Sequence, residues 1–234
     1  MRIGMLSDAH GNPTWLSRCL KALRDLAVER VYFLGDATGY LPGEVSVLEI
    51  LSDANAICLL GNHDAMVTGR LPLNEKNELS YRHRDARKRL GAGGIGRLSR
   101  WPEKLELTLD GRRLLLVHGH PADHLEGYCY PDTSLEPFRD VPYDIVVTGH
   151  THRPFIRTLG EKLFINPGSC GLPRDQGNAP SFGVYDSTKG ATEIYRLRMN
   201  PEEILAEFEA VGVPDLLRQG LYRQGKQPLV GQFL

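Results

Sequence analysis

The chain has 234 residues, of which 41% are hydrophobic and 24% charged, and its formal net charge is −1. That length carries one large α/β domain with a small appendage, and the near-neutral charge offers no general attraction for nucleic acid or an anionic membrane. No apolar stretch approaches the ~18–20 residues of a membrane span, so no membrane partner is expected.

Met1-Arg2 runs straight into an apolar segment, unlike a signal peptide. Cys19, Cys58, Cys129 and Cys170 lie far apart without paired spacing and read as reduced thiols. Both features lead to the expectation of a cytoplasmic protein.

Residues 3–6 predict a buried strand running into Ser7-Asp8-Ala9-His10-Gly11-Asn12. Pro13 at a helix start, Asn12 as its N-cap and the spacing of Leu16, Leu20 and Leu23 predict a first helix. Residues 31–34 predict a second strand ending in Gly35-Asp36, and apolar residues from Val45 to Leu51 a second helix. Residues 57–60 predict a third strand, closed by Gly61-Asn62-His63-Asp64. An ordinary turn uses Gly and Asn but has no need of the His and Asp that follow. The β-α-β-α-β order favours a parallel sheet with crossover helices.

Residues 65–100 interrupt this rhythm. Arg82, Arg84, Arg87, Lys88, Arg89, Arg97 and Arg100 against Asp85 make 81–100 basic. A solvated helix face is the plainer reading and a phosphate-facing lid the sharper one. Gly91-Ala92-Gly93-Gly94-Ile95-Gly96 has the letters of a dinucleotide fingerprint but follows a basic helical stretch rather than a strand, so it reads as a flexible hinge. His83, in the same insert, reads as a surface residue.

Strands then follow in quick succession. Residues 105–109 and 114–117 flank an Asp110-Gly111 hairpin turn, and the second of them ends in His118-Gly119-His120. Residues 145–148 end in Gly149-His150-Thr151-His152, and 163–165 precede Asn166-Pro167-Gly168-Ser169. Residues 181–185 and 192–196 complete the strands, and Asn200-Pro201-Glu202-Glu203 opens a helix. The expected organisation is a catalytic domain over 1–199, with 65–100 as a basic lid-like insert, followed by a C-terminal helix and tail over 200–234.

Five apolar runs each lead into a residue able to bind a metal: Asp8, Asp36, Asn62, His118 and His150. His10 and His152 add two more at i+2, a spacing that would put alternate side chains on one side of an extended segment. The carboxyl ends of strands are where α/β sheets bind ligands. The donors mix nitrogen and oxygen without thiolate, which suits Mn, Fe, Zn, Ni or Co, and seven donors suit two ions rather than one. Asp8 and Asp36 side by side would repel, a cost that divalent cations remove.

Asp8-Ala9-His10, Gly35-Asp36, Gly61-Asn62-His63-Asp64, Val117-His118-Gly119 and Gly149-His150-Thr151-His152 together resemble the calcineurin-like metallophosphoesterase superfamily. The closest likeness is to its small bacterial and archaeal phosphodiesterase-like members, over roughly residues 1–187. The resemblance implies an α/β fold, a four-layer α-β-β-α sandwich of two mixed sheets flanked by helices. It implies Asp8, His10 and His152 on one ion, Asn62, His118 and His150 on the other, and Asp36 bridging both. His63 would be the acid or transition-state residue, with Asp64 orienting it. The implied activity is hydrolysis of a phosphate mono- or diester by in-line attack of hydroxide generated at two divalent ions, manganese first, with His63 assisting the leaving group. His120 and His124 read as polar loop residues. A non-catalytic metal-binding scaffold on the same fold is the alternative, and nucleic acid as the ester and a homo-oligomer stay open.

Overall fold

The computed structural model describes residues 1–225 and 228–234. Its first sheet grows from β1 (Arg2–Leu6), β2 (Arg30–Phe33) and β3 (Ile57–Cys58), parallel neighbours joined by α1 (Pro13–Asp25) and α2 (Glu44–Asp53). Residues 62–98 form α3 (Asn62–Thr68), α4 (Glu78–Tyr81) and α5 (His83–Leu98). The second sheet is made of β4 (Lys104–Leu109), β5 (Arg112–Val117), β6 (Ile145–Val147), β7 (Phe155–Leu159) and β8 (Lys162–Asn166), in the order β4-β5-β6-β8-β7. The chain then returns to the first sheet with β9 (Ser181–Asp186) and β10 (Ala191–Arg196). After α6 (Pro201–Glu207) and α7 (Asp215–Leu221), β11 (Gln232–Phe233) completes the order β11-β10-β9-β1-β2-β3. Both sheets are mixed: β9 pairs antiparallel with β1, and β5, β6 and β8 run parallel between antiparallel outer strands.

The two-residue period of the strands sorts side chains into layers. Ile3, Met5, Tyr32 and Leu34 meet Leu114, Leu116, Ile145, Val147 and Ile165 in a core between the sheets. The alternate residues Leu6, Phe33, Phe182 and Val184 face α1, α2 and α5. On the far side Leu115, Val117, Val146 and Phe164 pack under Cys129, Leu135 and Phe138. This fourth layer is the thinnest, a long connection with one 3-10 turn at Glu136–Phe138. The helices α6 and α7 close the end of the molecule, with Ile204, Leu205, Leu217 and Leu221 packed on Trp15, Tyr40 and Leu41.

Local signals formed as predicted. The Asn12 side chain accepts from Trp15 N at 3.1 Å and the Asn200 side chain from Glu202 N at 3.1 Å, each capping its helix. Asp110 (φ 46°) and Gly111 (φ 82°) both take the left-handed region that a two-residue hairpin turn demands.

Three expectations change. The third strand is only two residues long, so Asn62, His63 and Asp64 form the first turn of a helix rather than a strand end. The glycine run is helical apart from a break at Gly91 (φ 56°, ψ −169°), so any hinge is a single residue. His83 is buried rather than on the surface.

The basic insert is tied inward. Arg87 donates to the carbonyls of Met66 and Val67, Arg89 pairs with the buried Glu44 at 2.6 Å, and Arg97 donates to Leu48 O. These bonds satisfy carbonyls on α2 and α3 while holding α5 against them. Among the described residues, no helix is long and apolar enough to cross a membrane, and all four cysteines are free thiols.

Candidate metal centre

Six of the donor residues sit on loops that leave the carboxyl ends of the two sheets, and Asn62 opens α3. Asp8 (φ 58°), His10 (φ 47°), Asp36 (φ 60°), His150 (φ 63°) and His152 (φ 57°) all occupy the left-handed region. The i+2 spacing therefore does not mark an extended segment, as the sequence reading supposed. Each pair doubles back through left-handed residues, at a cost of ~1–3 kcal/mol per residue that the surroundings must impose.

Loop-to-loop hydrogen bonds impose it. Asp8 N donates to Gly35 O, His10 N to Asp36 O and Gly11 N to Ala37 O, at 2.9–3.0 Å. Asn166 Nδ2 donates to Gly149 O at 2.7 Å, and Ser169 Oγ to Asp8 O at 2.7 Å. The Asn166-Pro167-Gly168-Ser169 stretch thus steadies the backbone carrying Asp8 and His150. Gly61 is needed for close approach, since a Cβ there would stand 2.1 Å from Asp36 Oδ1.

All seven predicted donors are buried and drawn together. Asp8, His10 and His152 form one cluster, Asp36, His118 and His150 a second, with donor atoms within 4.8 Å of one another in each. Asn62 Oδ1 lies 3.1 Å from His118 Nε2 and joins the second cluster. Asp36 stands between them: its Oδ2 is 3.7 Å from His10 Nε2 and 3.3 Å from His118 Nε2, while its Oδ1 accepts from His63 N.

The donor atoms fit divalent ions. The Nδ1 atoms of His10, His118 and His152 face the carbonyls of Thr38, Leu34 and Leu172, so each ring directs Nε2 inward. His10 Nε2 and His152 Nε2 are only 3.0 Å apart, two lone pairs meeting unless a cation or proton stands between them. Asp8 Oδ2 accepts from His150 N, but its Oδ1 and His150 Nε2 are buried without a partner. Buried, unpartnered donors of this kind are what a metal ion satisfies.

Electrostatics among the cage residues point the same way. Burial opposes ionisation of Asp8 and Asp36, yet the surrounding histidines, His152 on Asp8 and His118 on Asp36, hold both carboxyls below the usual carboxylate range. Burial pushes His150 down to about 3 and, with Arg174, His152 down to about 4. Against the same burial, Asp36 pushes His118 up to about 9.

His63 lies at the edge of the cage, a ring nitrogen within 4.8 Å of donor atoms of His10 and Asp36. Its Nδ1 is engaged by His83 Nε2 at 2.8 Å. Asp64 does not orient it, contrary to the sequence reading. The Asp64 carboxylate accepts from the backbone N–H of Asp36, Ala37, Thr38 and Gly61 and from Thr38 Oγ1, at 2.8–3.3 Å. Burial and the nearby Asp36 push its carboxyl up to about 6, and these donors pull the other way. Asp64 is thus the clamp on the loop that carries Asp36.

Sequence reasoning missed several neighbours. Tyr40 and Tyr81 pack their rings against His63, with centroids 5.1 and 4.6 Å away, and Arg174 Nη2 donates to Tyr40 Oη at 3.0 Å. Tyr128 covers His150 at 4.1 Å. Tyr40 and Arg174 had sequence signals, Gly39-Tyr40 following Asp36 and Pro173-Arg174 following Asn166-Pro167-Gly168-Ser169, but neither carried a site role. His120 takes the loop role expected of it, its Nδ1 accepting from Ala122 N and Asp123 N.

Known proteins resemble this chain in sequence and fold. An uncharacterized protein of Methanocaldococcus jannaschii is 26% identical over 94% of this chain and 97% of its own length. Phosphodiesterase YfcE of Escherichia coli is 27% identical over 76% of this chain and 96% of its own. The crystal structure of a metallophosphoesterase from Sphaerobacter thermophilus superposes with a TM-score of 0.79 at 26% identity, covering 94% of this chain and 98% of that one. Residues 1–190 match the calcineurin-like phosphoesterase superfamily domain, and with the Asp/His cage lying wholly inside that span the chain belongs to this superfamily.

Proposed function

We infer that the protein hydrolyses phosphate esters at a centre of two divalent ions, Asp8, His10 and His152 holding one, Asn62, His118 and His150 the other, with Asp36 shared. The observation that carries this reading is the pair of inward Nε2 atoms 3.0 Å apart beside the unpartnered Asp8 Oδ1. When bound, two such ions supply Lewis acidity toward a phosphoryl group and a nucleophile at neutral pH.

The protein's own residues do the rest. The backbone N–H of His63 on Asp36 Oδ1 leaves Oδ2 to face both clusters. The carbonyl partners of His10, His118 and His152 fix which nitrogen each ring offers. His63 assists the departing oxygen with a hydrogen bond or proton. Arg174, half-buried and donating from its side-chain tip to Tyr40 Oη, offers a guanidinium suited to a phosphoryl oxygen.

Manganese is the first choice of ion for this mixed N/O set, with Fe, Zn, Ni and Co the alternatives. A cytoplasmic setting agrees with the free thiols. The name of the Escherichia coli relative favours a diester over a monoester as substrate. The inward ties of Arg87, Arg89 and Arg97 argue against their gripping a nucleic-acid backbone.

The test is metal analysis of the purified protein, followed by turnover of mono- and di-nitrophenyl phosphates with added Mn²⁺, Ni²⁺ or Co²⁺. The expected result is about two ions per chain and ion-dependent turnover, faster on the diester. No bound ion and no turnover with any of them would leave a scaffold on the same fold.

A further inference from the structure

His63 is held by a second pair of residues that metal binding does not explain. His63 Nδ1 and His83 Nε2 are 2.8 Å apart, and both rings are buried. On its other side His83 Nδ1 faces Glu78 Oε2 at 3.6 Å, and both of those atoms are buried without a hydrogen-bond partner. Glu78 Oε1 is fixed by the backbone N–H of Arg84 at 2.7 Å. The left-handed Arg82 (φ 57°) turns the chain between α4 and α5, bringing Glu78 and His83 together behind His63.

The carboxylate sets the direction of this chain. An ionised Glu78 can only accept, so His83 keeps its proton on Nδ1, toward Glu78, and its lone pair on Nε2. His83 Nε2 must then accept from His63 Nδ1–H, which leaves His63 Nε2 as the working atom. The reverse direction would set the His83 Nδ1 lone pair against the carboxylate.

We propose that Glu78 and His83 are positioning residues, which fix His63 in the tautomer and orientation that present Nε2 to the ester. The proposal rests on the phosphoesterase reading. His63 Nε2 first takes a proton from solvent as the anionic ester binds, with His83 accepting from Nδ1–H to steady the imidazolium. As the P–O bond to the leaving group breaks, its electron pair stays on the departing oxygen, which takes that Nε2 proton. His63 returns to the neutral ring with its proton on Nδ1, still held by His83. The arrangement has the logic of a catalytic triad, in which a carboxylate orients a base through one ring nitrogen, with a second histidine in the middle. It assigns to the insert's Glu78 and His83 the work that Asp64, occupied by backbone amides, cannot do.

Three variants test it, each with its metal content measured: His83→Phe, which fills the space without a hydrogen bond; His83→Gln, whose carboxamide can accept from His63 and donate to Glu78; and Glu78→Gln. Substrates are phosphodiesters with p-nitrophenol, phenol and ethanol leaving groups, since only the last two demand a proton. The expected result for His83→Phe is a drop in kcat of about 10–100-fold on the ethyl ester, a much smaller drop on the nitrophenyl ester, unchanged KM and full metal content. His83→Gln should recover most of that loss.

A second readout needs no turnover. Nitrogen-15 NMR of the metal-free wild type should find the His63 proton on Nδ1, and Glu78→Gln should mix the two tautomers. Equal losses on all three esters, no recovery with Gln, or a His63 proton found on Nε2 alone would each overturn the proposal. Should His83→Phe fail to fold, the Gln variants and the tautomer still decide. A wild type that hydrolyses none of the esters would sink the phosphoesterase reading, whereas the tautomer stands or falls independently.

Discussion

Asp36 and His63 adjoin, yet substitution should separate them cleanly. Asp36 Oδ2 faces both donor clusters, so Asp36→Asn removes a charge that the two ions would share. That variant should come through dialysis without either ion, and retention of two would contradict the bridging role. His63→Ala should keep both ions and lose about 10²–10⁴-fold in kcat, the usual contribution of a positioned proton donor. Unchanged turnover with full metal would remove His63 from the mechanism. At this scale the sequence was informative wherever a donor follows an apolar run, because burial and polarity change abruptly there. His83 carried no such mark. It reaches the site from the start of a helix in a basic insert, through a turn at Arg82 that no periodicity announces.

Among elements, the joint between β2 and α3 depends on one carboxylate. Asp64 takes four backbone N–H groups and one hydroxyl, all buried, from residues 36–38 and 61. Asp64→Ala would orphan those donors at ~1–3 kcal/mol each before relaxation. Its urea midpoint should fall by an amount equivalent to more than about 3 kcal/mol, with metal affinity falling alongside. A midpoint within error of the wild type would show that the loop holds itself. Strand positions, caps and the hairpin turn were legible because each is decided within a few residues. The brevity of β3, the left-handed donor loops and the single break at Gly91 are decided by contacts distant in sequence. No window of residues 57–64 contains Phe33 O or Pro102 O, the carbonyls that take the N–H groups of Leu59 and Leu60.

For the whole molecule, the cage makes stability depend on pH even without metal. His150 and His152 are held near 3 and 4, against about 6.5 in an unfolded chain. Below 6.5 the unfolded state therefore binds more protons, and stability falls as pH drops toward 4, by up to ~1.4 kcal/mol per group per unit. His118, raised to about 9, acts on the other side. Its contribution is full below 6.5 and is lost as pH rises through 9. The Tm of the chelator-treated protein should thus climb from pH 5 to about 6.5 and decline toward 9. A Tm that is flat or falling between pH 5 and 6.5 would contradict neutral, buried His150 and His152.

The two sheets contribute their donors at different times. Asp8, His10, Asp36 and Asn62 all lie within the first 62 residues, whereas His118, His150 and His152 arrive only with the second sheet. The central strand β1 must itself wait for β9, at Ser181–Asp186, before its other edge is paired. A chain emerging from the ribosome therefore displays Asp8, His10 and Asp36 long before His118, His150 and His152, and a soft or abundant cation met early would find no finished cage to retain it. Selection among metals falls to the finished fold rather than to any peptide along the way.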